Sequence, residues 1–165
     1  MKNCHILKVR TRDVGNGPGI RVSVWVSGCS HRCKGCHNRD TWKWKQGKVL
    51  TQELIEKILK ACEPEHIQGL TLTGGDPLFP KNREGIRELC KAFYKKFNGT
   101  KDIWLWTGYK IEDLDDCPWL FLYVDTVVDG KYVEALKDVS LPYAGSKNQR
   151  VLNIHDYYLM SFLNV

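Results

Sequence analysis

Three cysteines lie within eight positions of the segment VSGCSHRCKGCHN, which runs from Val26 to Asn38. Cys29, Cys33 and Cys36, called the loop cysteines below, have the spacing C-x3-C-x2-C. Soft thiolate ligands grouped in one loop are typical of sites for an iron–sulfur cluster, zinc or copper. A 4Fe-4S cluster normally takes four cysteines, one for each iron, so three cysteines leave one iron open. An open iron suits a catalyst better than an electron carrier.

A structural zinc site is the alternative, because zinc usually takes four ligands. His31 or His37 would then be the fourth ligand. His37 directly follows Cys36 and would have difficulty pointing at the same ion. The loop cysteines alone therefore favour a cluster over zinc only modestly.

The remaining four cysteines are scattered singly along the chain. Seven cysteines are an odd number, and a reducing compartment disfavours disulfides. Cys90 falls on the apolar stripe of a predicted helix, where a thiol behaves as a small hydrophobic side chain. We expect all four to be buried and structural: Cys4, Cys62, Cys90 and Cys117.

A second unusual segment, GLTLTGGDP, contains a β-rich run from Gly69 to Thr73 followed by Gly74, Gly75 and Asp76. Taken alone, GGDP is a plain turn between a strand and a helix. The cysteine loop also follows a predicted strand, Val22 to Val26. Because the loops after parallel strands converge at one edge of a sheet, we expect both segments to face one crevice.

Strand-like and helix-like segments alternate along the chain, which predicts parallel βα units. A complete eight-fold barrel takes about 250 residues, so this chain is expected to form an open, partial (β/α) barrel as one α/β domain over residues 1–165. Helices are predicted after Thr51, around Ile86 to Phe97 and over Val133 to Leu136. The other predicted strands are Ile6 to Val9, Asp102 to Trp106, Tyr123 to Val128 and Val151 to Ile154. Trp42 and Trp44 alternate with lysines and fit either a half-buried strand or a docking surface, and the tail from His155 is apolar enough to dock.

Composition narrows the functional classes. No apolar run approaches the roughly 18 residues of a membrane span, and charge interrupts the first residues before signal-peptide length. We therefore expect a cytoplasmic protein without membrane contact. The net charge of +6 is spread along the sequence, which indicates a solvated surface first, an acidic or phosphate-bearing partner second, and no nucleic-acid binding.

At its unusual segments the sequence resembles the radical S-adenosylmethionine (SAM) enzymes. It is most similar to the glycyl-radical activating enzymes that act on anaerobic ribonucleoside-triphosphate reductase. Besides the loop cysteines and TLTGGDPL, the resemblance covers, in order, NGPGIR (Asn16 to Arg21), DIWLWTGYK (Asp102 to Lys110), VVDGKY (Val127 to Tyr132) and GSKNQR (Gly145 to Arg150). It implies an open partial barrel of the radical SAM type, a 4Fe-4S cluster on the loop cysteines, and SAM as second cofactor.

The resemblance also implies how these groups work. The amino and carboxylate groups of SAM would chelate the open iron, and an electron from the cluster would cleave SAM into methionine and a 5′-deoxyadenosyl radical. His37 stands where this branch usually has Tyr, and an imidazole can still stack on adenine. WTGY and VVDG are candidates for lining the nucleoside pocket, although their aromatic residues fit a core equally well. The residues implied to contact SAM are Gly35, Cys36, His37, Gly74, Gly75 and Asp76.

The substrate follows from the resemblance and from size. A chain this short has few residues for a lid over a reactive radical, so a protein partner must close the crevice. The implied partner is the large subunit of anaerobic ribonucleotide reductase, whose glycine loop would give up a hydrogen atom, with Asn16 as a candidate contact. The implied electron donor is flavodoxin or another low-potential reductant. The alternatives are a radical SAM enzyme acting on another glycyl-radical enzyme or a small molecule, and a non-enzymatic metal-binding module.

Overall fold

The computed structural model describes residues 3–163, in which one seven-stranded sheet carries helices and loops. The strands are β1 (His5–Asp13), β2 (Ile20–Val26), β3 (Lys48–Val49), β4 (Ile67–Gly74), β5 (Asp102–Trp106), β6 (Thr126–Asp129) and β7 (Arg150–Asn153). The α-helices are α1 (Gln52–Ala61), α2 (Arg83–Phe97), α3 (Leu120–Tyr123) and α4 (Ile154–Leu163). Short 3-10 helices cover Arg39–Thr41, Ile111–Asp113 and Glu134–Leu136.

The sheet has the strand order β3-β1-β2-β4-β5-β6-β7 and does not close on itself. Neighbouring strands from β2 to β6 pair in parallel, as the alternation of elements predicts. The outer strands β1, β3 and β7 pair antiparallel, so the expectation of parallel units holds only for the central four strands. The α/β class and the open sheet are confirmed.

The two faces of the sheet differ in chemistry. Side chains alternate across a strand, so every second residue shares a face. One face carries apolar residues such as Val24, Leu72 and Leu105, which join the buried residues of α1 and α2 in one hydrophobic core. The opposite face, called the inner face below, carries polar and aromatic side chains such as Thr71 and Trp104. Only one face of the sheet is thus used for the hydrophobic core.

The two long helices form where local sequence signals predict them. The side chain of Thr51 accepts a hydrogen bond from the backbone N–H of Leu54 at 3.2 Å and caps the start of α1. Ile55 and Ile58 in α1 are buried at helical spacing. At the end of α2, Asn98 takes the left-handed conformation with φ 44°, which ends the helix.

Other predicted boundaries differ from the structure. The apolar run predicted as a strand from Tyr123 begins as helix α3, and the strand starts only at Thr126. The last strand ends at Asn153, because the helical segment α4 begins at the buried Ile154. Trp42 and Trp44 lie in no strand. The predicted helix over Val133 to Leu136 is a 3-10 turn, Glu134–Leu136.

The four isolated cysteines are buried, as predicted: Cys4, Cys62, Cys90 and Cys117. Burial raises the pKa of Cys62 to about 12, which keeps this thiol protonated and unreactive. The predicted docking of the tail from His155 is only partly confirmed, since Tyr157 packs against the core while Leu159 and Phe162 are exposed. Within residues 3–163, no helix is long and apolar enough to cross a membrane.

Candidate functional site

A cleft lies where the loops after β2, β4 and β5 meet, at the carboxyl edge of the parallel strands. The three loop cysteines and the GGDP segment line this same cleft, as the order of elements predicts. Gly108 from the loop after β5 and Tyr132 from beyond β6 line it as well. Segments that are far apart in the sequence therefore form one site.

The cysteine loop is shaped by two glycines with left-handed backbone conformations, Gly28 with φ 100° and Gly35 with φ 75°. All three thiols are partly exposed, unlike the four structural cysteines. The backbone N–H of Asn38 donates a hydrogen bond to Sγ of Cys36 at 3.3 Å. Such a donor stabilises negative charge on the sulfur, as a cluster thiolate requires.

The local environment favours the protonated form of two of these thiols. Burial, and then the negative charge of Asp76, raise the pKa of Cys29 to about 11, against the effect of hydrogen bonds from the backbone. Burial also raises the pKa of Cys33. Because thiolates are the form that binds metal, loading of this site must release protons.

The GGDP segment is hydrogen-bonded to the cysteine loop through the backbone. The N–H of Gly75 donates to the carbonyl of Val26, and the N–H of Asp76 donates to the carbonyl of Gly28, each at 2.9 Å. A Cβ atom at Gly75 would lie 2.5 Å from the carbonyl oxygen of Gly28 and 2.9 Å from that of Thr41. Glycine is thus required here because the two loops touch each other.

The Asp76 carboxylate is the centre of a buried hydrogen-bond network and is 1% exposed. It accepts from the backbone N–H of Leu78 at 2.8 Å and of Gly108 at 2.9 Å. The hydroxyl of Thr107 donates to it at 2.9 Å, and His31 Nε2 lies 2.8 Å from it. A carboxylate offers about four lone-pair sites, and these partners use all of them. This network joins the cysteine loop, the GGDP segment and the loop after β5.

The carbonyl of Asp76 is also occupied. It accepts from the side-chain amide of Asn82 and from the backbone N–H of Phe79, each at 3.0 Å. A carbonyl has two lone pairs, so neither the carboxylate nor the carbonyl retains a vacant acceptor position. The geometry thus makes Asp76 a residue that holds the loops together, a role that the sequence does not indicate.

The histidines considered as zinc ligands have other surroundings. His31 is directed at Asp76, and its ring contacts Tyr109 with centroids 4.5 Å apart. His37 is exposed, with its ring centroid 6.2 Å from that of Tyr132. Within residues 3–163, no three His, Cys, Asp or Glu side chains converge on a single metal ion. A 4Fe-4S cluster does not need such convergence, because its cysteines bind different irons.

Of the two remaining predicted residues, Gly35 lies next to the cleft and Asn16 lies outside it. A Cβ at Gly35 would lie 2.7 Å from Oε1 of Glu134, a flexible side chain. The side-chain amide of Asn16 donates to the carboxylate of Asp13 at 2.7 Å, and the backbone carbonyl of Asn16 accepts from the hydroxyl of Thr71 at 2.7 Å. Asn16 therefore covers the inner face below the cleft.

Several residues of the cleft belong to WTGY and VVDG, the segments whose role the sequence left open between pocket and core. Trp106, Gly108 and Gly130 line the cleft, whereas Trp104 is buried on the inner face. Gln149 also lines it, and its side chain donates to the carbonyl of Gly130 at 2.9 Å. The sequence did not predict that four other residues line the cleft: Asn38, Trp42, Thr73 and Tyr132.

An ion-pair network supports the NQR segment from outside the cleft. Arg150 bonds the buried carboxylate of Asp129 and the exposed carboxylate of Glu112, the latter through two nitrogens at 2.7 and 2.9 Å. The hydrogen bonds from Arg150 lower the pKa of Glu112 to about 2. This network fixes β7 beside β6 and so positions Gln149 over the cleft.

The comparison with known proteins agrees with this donor set. A family model described as "4Fe-4S single cluster domain" matches residues 15–152. The anaerobic ribonucleoside-triphosphate reductase-activating protein of Enterobacteria phage T4 is 48% identical over 139 residues, covering 84% of this chain and 87% of the relative. Proteins with the same name from Vibrio cholerae and Escherichia coli K12 are 44% and 42% identical, covering 90% and 92% of those relatives and 83% and 84% of this chain. This chain belongs to the family of anaerobic ribonucleoside-triphosphate reductase-activating proteins.

Membership in the reductase-activating family decides between the cluster and zinc. The matched range contains every residue of the cleft, including the loop cysteines, the GGDP segment and Gln149. The family model therefore supports an iron–sulfur cluster, rather than zinc, as the cofactor of this chain. The soft, partly exposed thiols and the N–H donor on Cys36 fit that group.

Proposed function

We propose that this protein activates an anaerobic ribonucleoside-triphosphate reductase by generating a glycyl radical in it. The observation that carries the proposal is one cleft lined by three cysteines and the GGDP segment, in a chain whose relatives are named for activating that reductase. Three thiolates leave one iron of a 4Fe-4S cluster free for SAM. When bound, the cluster and SAM together supply the electron and the radical that remove hydrogen from glycine.

The chain's own residues hold and orient these groups. Cys29, Cys33 and Cys36 bind the cluster, and the N–H of Asn38 stabilises the thiolate of Cys36. Asp76 holds the cysteine loop, the GGDP segment and the loop after β5 together through its network, and would thereby help to position SAM beside the cluster. This positioning is what the protein contributes to a reaction whose chemistry belongs to the cofactors.

We assign the SAM site to the cleft between the cysteine loop and the loops after β4 and β5. The backbone of Gly74 and Gly75 faces the methionine part, and Asp76 acts there by holding that backbone. Gly35, Cys36 and His37 border the adenine part, where the imidazole and Tyr132 offer stacking surfaces. Gly108 lets the ring of His31 pack closely against the loop after β5, because a Cβ there would lie 2.4 Å from that ring.

The substrate in this proposal is a glycine of the reductase large subunit. Thr71 and Trp104 on the inner face are buried, so a partner loop would meet the loops that cover this face rather than the sheet itself. Asn16, hydrogen-bonded to Thr71 on that face, is our candidate for contacting the loop. The partner would then exclude water from the cleft while the radical forms.

The finer description of the protein belongs to the same proposal. We take the open sheet as a partial barrel of the radical SAM type, with residues 1–165 as one domain. Free thiols at the site fit a reducing, cytoplasmic setting. A low-potential donor such as flavodoxin would supply the electron.

The experiment is anaerobic incubation of the cluster-loaded protein with the purified reductase, SAM and dithionite, followed by electron paramagnetic resonance. The expected result is a glycyl-radical signal on the reductase that requires SAM. A Cys33→Ala variant is the control and gives no signal. SAM cleavage without any radical on the reductase would contradict the proposed substrate and favour a small-molecule reaction.

A further inference from the structure

A second depression, called the basic groove below, lies on the other side of the cysteine loop from the cleft. It is lined by Arg32, Arg39, Trp42, Lys43 and Trp44, among others. The sequence shows these residues as the alternating TWKWK motif and two nearby arginines, and the proposed reaction at the cleft does not use them. The positive charge, evenly spread in the sequence, is concentrated here in space.

Cations surround both tryptophans of the groove. The guanidinium groups of Arg32 and Arg39 each lie 5.7 Å from the ring centroid of Trp42. On Trp44, the ammonium of Lys81 lies at 4.0 Å and that of Lys45 at 4.8 Å. These distances are within the range of cation–π contacts, which hold the charges over the rings while leaving them accessible.

These positive charges are not neutralised by acidic neighbours. Within residues 3–163, no ion pair involves any of five exposed cations: Arg32, Arg39, Lys43, Lys45 and Lys81. Asp40 is the one acidic residue that lines the groove within the described chain. Uncompensated charge of one sign on a surface with aromatic side chains favours a partner of opposite charge.

The groove and the cleft share two residues, Cys29 and Trp42. The backbone N–H of Cys29 donates to the carbonyl of Trp42 at 3.1 Å, which holds the two residues together. Because Cys29 itself lines the groove, a partner seated there lies beside a proposed cluster ligand without entering the cleft. That is the geometry for passing an electron to the cluster while SAM and the glycine loop occupy the other side.

We propose that the basic groove is the docking site for an acidic protein that carries a low-potential one-electron centre. The inference rests on the proposed function, which needs one external electron in each activation. In this step the donor loses one electron and the cluster gains it; no bond forms or breaks, and no proton moves. The groove supplies the contact through its cationic side chains, and Trp42 and the cluster ligand Cys29 both form part of its wall.

The reductase is the competing occupant, and the position of the groove argues against it. Abstraction of a hydrogen atom requires the glycine to be in contact with the radical, so its loop must enter the cleft. An electron can cross a packed side chain, so the donor can use the opposite side. Two entry sides also allow donor and reductase to bind together.

The test compares two charge-reversal variants that change the net charge equally. Lys43→Glu/Lys45→Glu alters one lysine that lines the groove and one whose ammonium lies over the groove residue Trp44. Lys91→Glu/Lys95→Glu alters two exposed lysines of α2 that line neither the groove nor the cleft. The probe is reduced flavodoxin, mixed anaerobically with cluster-loaded protein. Stopped-flow absorbance gives the rate of cluster reduction, and calorimetry with oxidised flavodoxin gives the binding constant, from about 10 mM to 150 mM salt.

We expect the groove variant to lower the flavodoxin reduction rate about tenfold at low salt and to weaken its salt dependence. The α2 variant should match the unaltered protein, and dithionite should support the same glycyl-radical yield in all three. Equal flavodoxin rates and affinities for the two variants would overturn the proposal. The proposal would also be overturned if the groove variant bound flavodoxin normally but had lost affinity for the reductase. It would be overturned as well if the groove variant formed no glycyl radical with dithionite. If the unaltered protein forms no glycyl radical with dithionite, the proposed function fails. The flavodoxin affinities of the two variants still test whether the basic groove is the docking site.

Discussion

Replacement of Asp76 by Ala should destabilise the protein and empty the cluster site together. The substitution removes the acceptor for two backbone N–H groups, those of Leu78 and Gly108, as well as the partner of His31. Each buried donor left without a partner costs about 1–3 kcal/mol, so the two backbone groups alone give about 2–6 kcal/mol. That is a large part of the roughly 5–15 kcal/mol by which domains are stable.

Asp76→Asn should have an intermediate effect. An amide keeps one oxygen for Leu78 and Thr107 but places an NH2 group opposite the N–H of Gly108, so one donor loses its acceptor. The assay is urea denaturation of the cluster-free protein, followed by circular dichroism, together with iron bound per chain after reconstitution. Asp115→Ala, at an exposed carboxylate, is the control.

Stability and iron content should both be highest in Asp115→Ala, lower in Asp76→Asn and lowest in Asp76→Ala. The control Asp115→Ala should equal the unaltered protein. The reasoning would be refuted if Asp76→Ala unfolded at the same urea concentration as the control and bound the same amount of iron per chain. In that case the network would be a by-product of packing, and Asp76 would act on SAM directly.

Three further predictions concern the cysteine loop. Changing any loop cysteine to Ala should remove most of the iron, whereas Cys90→Ala should retain it, as measured by iron analysis; equal losses would contradict a three-cysteine site. Because the pKa of Cys29 is raised to about 11, the rate of its alkylation in cluster-free protein should rise about tenfold per pH unit from pH 7 to 10. Peptide mass spectrometry measures this rate, and a plateau below pH 9 would be inconsistent with the raised pKa. Gly75→Ala should reduce iron loading by pushing on Gly28, while Gly15→Ala, whose Cβ meets nothing closer than 3.6 Å, should not; normal loading in Gly75→Ala would count against the loop contact.

Local signals made much of the fold predictable. The cap at Thr51 and the apolar spacing of α2 are properties of short segments, and both helices form as predicted. The run from Tyr123 to Val128 misled because an apolar run is compatible with a buried strand or a buried helix. Tyr123 ends helix α3, and Val124 and Asp125 connect it to the strand that begins at Thr126. The antiparallel outer strands depend on long-range pairing that no local pattern records.

The candidate site, like the fold, was predictable where local sequence signals exist and unpredictable where distant segments meet. Spacing identified the loop cysteines, and the position of GGDP after a strand placed it opposite them. The partners of Asp76 could not be predicted, because His31 and Thr107 come from segments 45 and 31 residues away. The basic groove was hidden for the same reason, since Lys81 reaches Trp44 from another loop.

Transfer of a labelled hydrogen tests the central claim most directly. The reductase is prepared with deuterium at glycine Cα and incubated anaerobically with the cluster-loaded protein, SAM and dithionite, and the released 5′-deoxyadenosine is analysed by mass spectrometry. The account predicts one deuterium in the product, with a glycyl radical forming in step. Normal release of 5′-deoxyadenosine without deuterium would contradict the account.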